Sequence, residues 1–100
     1  MYWQKEFECM PREELEQLQL ERLQSTLYRL GTHVPFYRRK LREAKVDYEA
    51  ITSLDALRSL PFTMKEDLHA SYPYGLFAVP LRDVVRIHSS PGTAGMTTVV

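Results

Sequence analysis

Residues 88–95, HSSPGTAG, form a serine-, threonine- and glycine-rich segment whose composition suits phosphate binding. Gly92 and Gly95 let the backbone approach an anion closely and adopt positive φ, so that successive N–H groups converge on it. The hydroxyls of Ser90 and Thr93 add neutral hydrogen-bond donors. A plain hairpin connection has the same composition, so composition alone leaves both interpretations open.

The segment differs from two widespread phosphate-binding motifs. A GxxxxGK[ST] loop joins a strand to a helix and carries a lysine, whereas this segment has no lysine and lies between two predicted strands. The GxGxxG spacing of dinucleotide-binding proteins is also absent. A role in phosphate binding therefore needs support from the rest of the sequence.

Two β-prone runs flank the segment. Residues 84–87, VVRI, precede it, and residues 97–100, TTVV, are β-branched throughout. A lone hairpin is marginal in water because two strands bury too little surface. We therefore expect both strands to need neighbours that the 100 residues do not contain, so the domain is predicted to be incomplete.

Two longer helices are predicted upstream. The first spans about residues 11–30, where leucines recur at intervals of three to five residues, and Gly31 is expected to end it. The second spans about residues 35–45 and begins with a proline, which suits the first helical position. Its inward side is expected to carry Phe36, Tyr37, Leu41 and Ala44.

Two shorter helices are predicted to follow, each starting at a capping box. Thr52 and Asp55 mark one start, and Thr63 and Glu66 mark the other. The sequence as a whole predicts an α+β fold, with a layer of about four helices before a short β-hairpin. Its predicted units are a helical N-terminal region, residues 1–75, and the start of a second domain, residues 76–100.

Composition excludes several classes of function. Thirteen basic residues balance thirteen acidic ones, so the basic excess typical of nucleic-acid-binding proteins is absent. The first ten residues contain no apolar run, and Cys9 is the single cysteine, which argues against a signal peptide, a membrane anchor and a CxxC metal site. We expect a cytoplasmic protein that binds neither nucleic acid nor membranes. A local basic cluster is interpreted as a solvated helix face: Arg38, Arg39, Lys40 and Arg42.

Four blocks of the sequence resemble adenylate-forming ligases, in the form found in the phenylacetate–CoA ligase family. RIHSSPGTAGMTTVV at 86–100 is similar to the family's phosphate-loop motif, approximately RIHxSSGTTGKPTVV. Three upstream blocks agree with the family in order and spacing: VPFYRRK at 34–40, LPFTMKEDL at 60–68 and YPYGLFAVP at 72–80. The resemblance therefore covers nearly the whole chain.

The resemblance implies a two-step, AMP-forming reaction. Phenylacetate or a similar aryl acid reacts with ATP to give an acyl adenylate and pyrophosphate, and coenzyme A then displaces AMP to form a thioester. Negative charge that builds at the phosphates is met by preorganised donors and Mg²⁺. The resemblance also implies that the hairpin belongs to the edge of a larger α/β domain, and it makes a homodimer an expectation.

The resemblance assigns the ATP phosphates to residues 88–96. The contacts carried over by motif position are Ser90, Gly92, Thr93, Ala94 and Gly95. The family's adenine pocket, magnesium-binding acid, ribose-binding aspartate and catalytic lysine lie further along its chains. No catalytic or metal-binding residue is therefore expected here, and the 100 residues alone are expected to be inactive.

Three positions of the loop depart from the motif. Met96 replaces its lysine, Pro91 replaces a serine, and Ala94 stands where threonine is common. These changes remove one charge, two hydroxyls and one backbone N–H. They leave two hypotheses open: a loop that still binds phosphate through its backbone, or one that has lost the function.

Alternatives to a ligase segment also remain open. The leucine-faced helices could form a catalytically inactive, truncated relative that acts as an interaction module, or the chain could be a fragment without an independent role. Tyr72, Tyr74 and Phe77 could line an aromatic substrate pocket or simply pack the helical layer. His88 is interpreted as a structural residue at the end of a strand.

Overall fold

The computed structural model describes residues 1–90 and 98–100 and places helices before a short hairpin. Its α-helices are α1 (Lys5–Glu8), α2 (Arg12–His33), α3 (Pro35–Glu43) and α4 (Lys65–Ala70). Two 3₁₀ helices span Leu54–Ser59 and Leu81–Asp83, and two strands follow, β1 (Ser89–Ser90) and β2 (Thr98–Val99). This order confirms the predicted α+β fold.

Helix α2 passes through Gly31 and ends at His33, so the prediction that Gly31 stops the helix is wrong. Gly31 is buried against the ring of Tyr48, where an added Cβ would lie 2.4 Å from a ring carbon. The glycine therefore permits close packing and does not serve as a cap. The residue that follows the helix is Val34, whose backbone is extended, and Pro35 then begins α3.

Helix α3 ends at Glu43, two residues earlier than predicted. Lys45 follows in the left-handed region at φ 58°, and the N–H of Val46 donates to the carbonyl of Leu41 at 2.9 Å. This pattern resembles the common left-handed helix end, with lysine where glycine is usual. The chain consequently turns away from the helix axis at that point.

The hydrophobic core of the described residues is small and lies between residues 27 and 51. Leu27, Val34, Leu41 and Ile51 are at most 9% exposed, and Val34 is completely buried. The side-chain amide of Gln24 donates to the carbonyl of Ile51 at 2.7 Å, which holds the segment after α3 against α2. Helices α2 and α3 therefore contribute Leu27 and Leu41 to this core, whereas Ala44, expected on the inward side of α3, is exposed.

The two short helices start later than predicted. The third predicted helix is a 3₁₀ helix that begins at Leu54 instead of Thr52. The fourth, α4, begins at Lys65, and the acidic residue that caps it is Asp67 instead of Glu66. The Asp67 carboxylate accepts the backbone N–H of Met64 at 2.8 Å, so the predicted capping register is wrong by one residue.

The hairpin is antiparallel, with Ser89 opposite Val99 and Ser90 opposite Thr98. His88 and Val100 extend the ladder through two backbone hydrogen bonds of 2.8 Å. The strand predicted at residues 84–87 is therefore wrong, because the ladder begins within the segment expected to be loop. In the described part of the chain residues 84–87 pair with no strand, and Val85 is 93% exposed.

Candidate phosphate-binding hairpin

Ser90 is the last described residue of β1 before residues 91–97, and its side chain is exposed. Its hydroxyl is within hydrogen-bonding distance of the Thr98 hydroxyl on β2, and either oxygen could donate. When Thr98 donates, Ser90 keeps its own proton for an anion beyond the end of the ladder. The hairpin can therefore present one neutral donor without breaking the contact between its strands.

The other residues assigned to the phosphates are Gly92, Thr93, Ala94 and Gly95. They lie outside the described residues, as do the departures from the family motif at Pro91 and Met96. Their assignment stays a prediction from the resemblance. Of the five predicted contacts, only Ser90 lies among the described residues.

Helix α4 packs against β2, so it supports one side of the hairpin. Both residues of β2 are half-buried, whereas both residues of β1 are exposed. The inner strand thus lies against the helical layer and the outer strand faces solvent. The position of α4 therefore determines where the hairpin lies.

Lys40 of α3 holds the start of α4. Its ammonium group contacts the Asp67 carboxylate at 2.6 Å and also donates to the backbone carbonyl of Phe62. The Lys40 and Asp67 side chains are only 21% and 23% exposed, so solvent screens this ion pair less than a surface pair. Lys40 therefore ties the helical core to the segment that leads into α4.

Tyr37 makes a second link from α3. Its hydroxyl lies 2.6 Å from the hydroxyl of Thr63, and either group could donate. Tyr37 and Lys40 are three residues apart and share a face of the helix. We call these contacts the α3–α4 clasp, comprising Tyr37, Lys40, Thr63 and Asp67.

The α3–α4 clasp corrects the interpretation of the basic cluster as a solvated face at Lys40, whereas the other three residues are exposed, as expected. Arg38 is also engaged, because its guanidinium donates to the carbonyls of Gly31 and Thr32 at 2.7 and 2.6 Å. These two bonds satisfy carbonyls at the C-terminal end of α2, where a cation also complements the helix dipole. Two of the four basic side chains in the cluster therefore hold the fold together.

The electrostatics of the clasp centre on Asp67. The hydrogen bond from Lys40 lowers the pKa of the Asp67 carboxyl below its ordinary value, and the backbone N–H of Met64 lowers it further. Both donors favour the ionised form. Asp67 is therefore an anion at neutral pH and caps α4 while it pairs with Lys40.

Sequence reasoning did not identify Lys40 and Asp67 as partners. A signal was present, since Lys40 belongs to the block VPFYRRK and Asp67 to the block LPFTMKEDL, both of which matched the resemblance. The separation of 27 residues conceals the contact, because only the turn between the helices brings the two blocks together. No helical periodicity relates residues so far apart.

The aromatic residues of the third block lie outside the core. The rings of Tyr74 and Phe77 are 5.3 Å apart between centroids, with an interplanar angle of 46°. Tyr72 is 58% exposed and Phe77 is half-buried. His88 pairs with Val100 through its backbone, and its side chain is exposed, so its interpretation as a structural residue stays a prediction.

Among residues 1–90 and 98–100, no cluster of three or more His, Cys, Asp or Glu side chains could hold a metal ion. The helices found there are each too short or too polar to cross a membrane.

Curated relatives support the resemblance. The chain is 50% identical over all its 100 residues to the phenylacetate-coenzyme A ligase of Thermus thermophilus. It is 48% identical over 86 residues to the Pseudomonas putida enzyme of the same name, and 48% over 88 residues to that of Escherichia coli. No family model matches the chain.

Solved structures agree with the relatives in sequence. A 2-hydroxyisobutyryl-CoA ligase, in complex with 2-HIB-AMP and CoA in the thioesterification state, superposes on 98% of the chain with a TM-score of 0.85 and 34% identity. An open conformation of a 2-hydroxyisobutyryl-CoA ligase with the same two ligands gives a TM-score of 0.82, also at 34% identity. The fold is thus that of the N-terminal part of an adenylate-forming CoA ligase.

The match covers only part of these proteins. The chain spans 20–22% of the length of the three curated relatives and 22–24% of the two solved structures. Within that span, the chain is 50% identical to the Thermus thermophilus relative, and 98% of it shares the fold of a solved CoA ligase. Both findings agree on the family. The chain belongs to the phenylacetate-coenzyme A ligase family, of which it represents the N-terminal region.

Proposed function

We propose that the protein carrying these residues is an ATP-dependent, AMP-forming acid–thiol ligase that acts on phenylacetate or a similar aryl acid. The observation that carries the proposal is the 50% identity to a phenylacetate-coenzyme A ligase over every residue of the chain. The alternative of an inactive helical interaction module has no comparable support. Leu27 of α2 and Leu41 of α3 are already buried in the core of the described residues.

The proposed reaction has two balanced steps. A carboxylate oxygen attacks the α-phosphorus of ATP, a P–O bond forms, and the bond to pyrophosphate breaks. The sulfur of coenzyme A then attacks the acyl carbon, AMP leaves, and the thiol proton passes to solvent. In solved relatives of similar fold, an acyl-AMP and CoA are bound together, which supports this sequence of steps.

The part assigned to this region is to hold the β- and γ-phosphates of ATP at residues 88–96. Charge accumulates on pyrophosphate as it leaves, and neutral donors fixed in advance stabilise that charge without reorganising. Ser90 supplies a hydroxyl there, and the loop supplies backbone N–H groups. Mg²⁺ would accompany ATP, and the described residues contain no cluster of ligands for it.

The remaining expectations rest on the family resemblance. We propose a cytoplasmic protein, a possible homodimer, with residues 76–100 forming the start of the nucleotide-binding domain. Support for the domain division comes from the small core, which lies wholly before residue 52. Sedimentation of the natural gene product tests the dimer.

The primary experiment is exchange of labelled pyrophosphate into ATP in the presence of phenylacetate, using the natural gene product. We expect exchange that depends on both ATP and the aryl acid. A protein that folds but neither exchanges pyrophosphate nor forms a thioester would refute the proposal. The same exchange assay with 2-hydroxyisobutyrate in place of phenylacetate is the control for substrate class.

A second experiment tests the loop. Restoring the motif with Met96→Lys and Pro91→Ser adds one charge and two donors, and a charged hydrogen bond contributes about 1.5–3 kcal/mol. We expect the KM for ATP to fall by about ten-fold or more. No gain from the double change would show that the departures at these positions do not limit phosphate binding. Thr97→Pro, which also restores the motif but removes a hydroxyl and a backbone N–H, should not lower the KM.

A further inference from the structure

The hairpin has little stability of its own. Each strand has two residues, His88 and Val100 add one further hydrogen-bonded pair, and a lone two-stranded hairpin is marginal in water. Its outer strand is exposed, so the described support comes from the side where β2 meets α4. Any movement of α4 therefore moves the inner strand of the hairpin.

Helix α4 also depends on its surroundings. It has six residues, far fewer than an isolated helix needs to be stable in water. None of its residues is fully buried, and Leu68 and His69 are half-buried, so burial alone holds it weakly. Its N-terminal turn is fixed instead by Asp67, which caps the N–H of Met64 and receives the ammonium group of Lys40.

The described contacts thus form a continuous route from the core to the candidate loop. Leu41 anchors α3 in the core at 3% exposure, and Lys40 is its neighbour in sequence. Lys40 binds Asp67 on α4, α4 packs against β2, and β2 pairs with β1. Ser90 lies at the end of β1, immediately before the remaining predicted phosphate contacts.

We propose that Lys40 and Asp67 are positioning residues, which fix α4 and thereby hold the paired strands, residues 88–90 and 98–100, next to the segment assigned to the phosphates. The proposal rests on the proposed function for its consequence in ATP binding. Neither residue contacts the substrate in this scheme. Their effect is carried by the short helix between them and the hairpin.

The test combines a structural measurement with a kinetic one in the natural gene product. Lys40→Met removes the ammonium group but keeps an unbranched side chain. Asp67→Asn removes the charge but keeps an oxygen that can accept the Met64 N–H, so it remains informative if Lys40→Met fails to fold. The matched control is Arg12→Met, which breaks the exposed pair between Arg12 and Glu16 on α2.

The structural measurement is amide hydrogen exchange of the peptide that contains the His88 and Val100 N–H groups. We expect exchange to be about three- to ten-fold faster in both clasp variants, the range set by the net value of an ordinary hydrogen bond. In the double variant, exchange should be about as fast as in each single variant, because either change breaks the ion pair between Lys40 and Asp67. Unchanged exchange, with the control also unchanged, would overturn the proposal.

The kinetic measurement separates positioning from general stability. If the natural protein exchanges pyrophosphate, the clasp variants should raise the KM for ATP several-fold and leave the KM for the carboxylate unchanged. A loosened hairpin with an unchanged KM for ATP would overturn the positioning role. If the natural protein has no exchange activity, the proposed function fails, and hydrogen exchange still decides whether the pair positions the hairpin.

Discussion

The helical region, residues 12–70, and the following segment, residues 76–100, are held in different ways. In the helical region, four buried aliphatic side chains form a core, and side chains from α2 and α3 bind backbone carbonyls across the turns. In the following segment, none of the described side chains is buried. The first region is fixed by its own packing, and the second takes its position from α4.

The exposed apolar residues of the second region sharpen the contrast. Val85 is 93% exposed, and Leu81, Ile87 and Val100 are each at least half exposed. Phe77 and Val99 of the same region are half-buried. The helical region also exposes apolar side chains, Phe62 at 87% among them, so the two regions differ in burial and not in exposure. Among the described residues, fully buried ones are found only before residue 52.

The largest expected effect comes from shortening a buried side chain in the core of the helical region. Leu27→Ala should lower the free energy of unfolding by about 2–4 kcal/mol, because it removes buried apolar area and leaves a cavity. Val85→Ala should change it by less than about 0.5 kcal/mol, since Val85 is almost fully exposed. Urea unfolding followed by circular dichroism measures both. Equal losses from the two changes would contradict the contrast between the regions.

The second prediction concerns the close contact between α2 and Tyr48. Gly31→Ala should cost about 1–3 kcal/mol of stability, because the new methyl group would lie within 2.4–2.7 Å of three ring atoms. The cost should shrink in a Tyr48→Leu background, where the ring is gone. A double-mutant cycle in urea measures the coupling. A cost that does not depend on Tyr48 would mean that the glycine matters for another reason.

These two sites show what the sequence could predict. The recurrence of leucines predicted α2, and its leading proline predicted the start of α3, because helical periodicity and capping are local properties. Gly31 was interpreted wrongly, because a glycine that ends a helix and one that admits a neighbouring ring have the same sequence signature. Only the position of Tyr48, 17 residues away, distinguishes them.

The candidate site shows the same limit. The residues 88–90 were predicted to be loop because serines are typical of turns, yet they form the ladder with residues 98–100. Strand pairing depends on the partner more than on local propensity, so exposed valines at 84 and 85 form no strand in the described part of the chain. The resemblance placed four blocks in order along the sequence, but the α3–α4 clasp joins two of them through a non-local contact that no single block reveals.

A smaller effect is expected when the clasp is titrated. The pKa of Asp67 is lowered in the folded state, first by Lys40 and then by the Met64 N–H, from a value of 3.8. The pair therefore contributes its stability in full above about pH 5, and loses it as pH falls below 3.8 through the folded pKa. The stability difference between the natural protein and Asp67→Asn should be constant from pH 7 to about pH 5 and should diminish below that.

Unfolding by urea at a series of pH values measures this difference. Glu16→Gln is a suitable control, since it removes the exposed partner of Arg12 and should have almost no effect at any pH. A difference between the natural protein and Asp67→Asn that grew as the pH fell would have the wrong sign for a carboxyl with a lowered pKa. It would show that Lys40 does not stabilise the ionised form of Asp67.

The smallest effect on stability is expected from making the exposed surface polar. Val85→Ser should leave the free energy of unfolding unchanged within about 0.5 kcal/mol, yet it should reduce the fluorescence of a bound hydrophobic dye, because Val85 lies among other exposed apolar residues. Leu57→Ser is the matched control on the helical region, where Leu57 is 52% exposed. If the control reduced dye binding as much as Val85→Ser, apolar exposure would be spread evenly over the molecule. Residues 12–70 and 76–100 would then differ in secondary structure but not in the apolar surface that they expose to solvent.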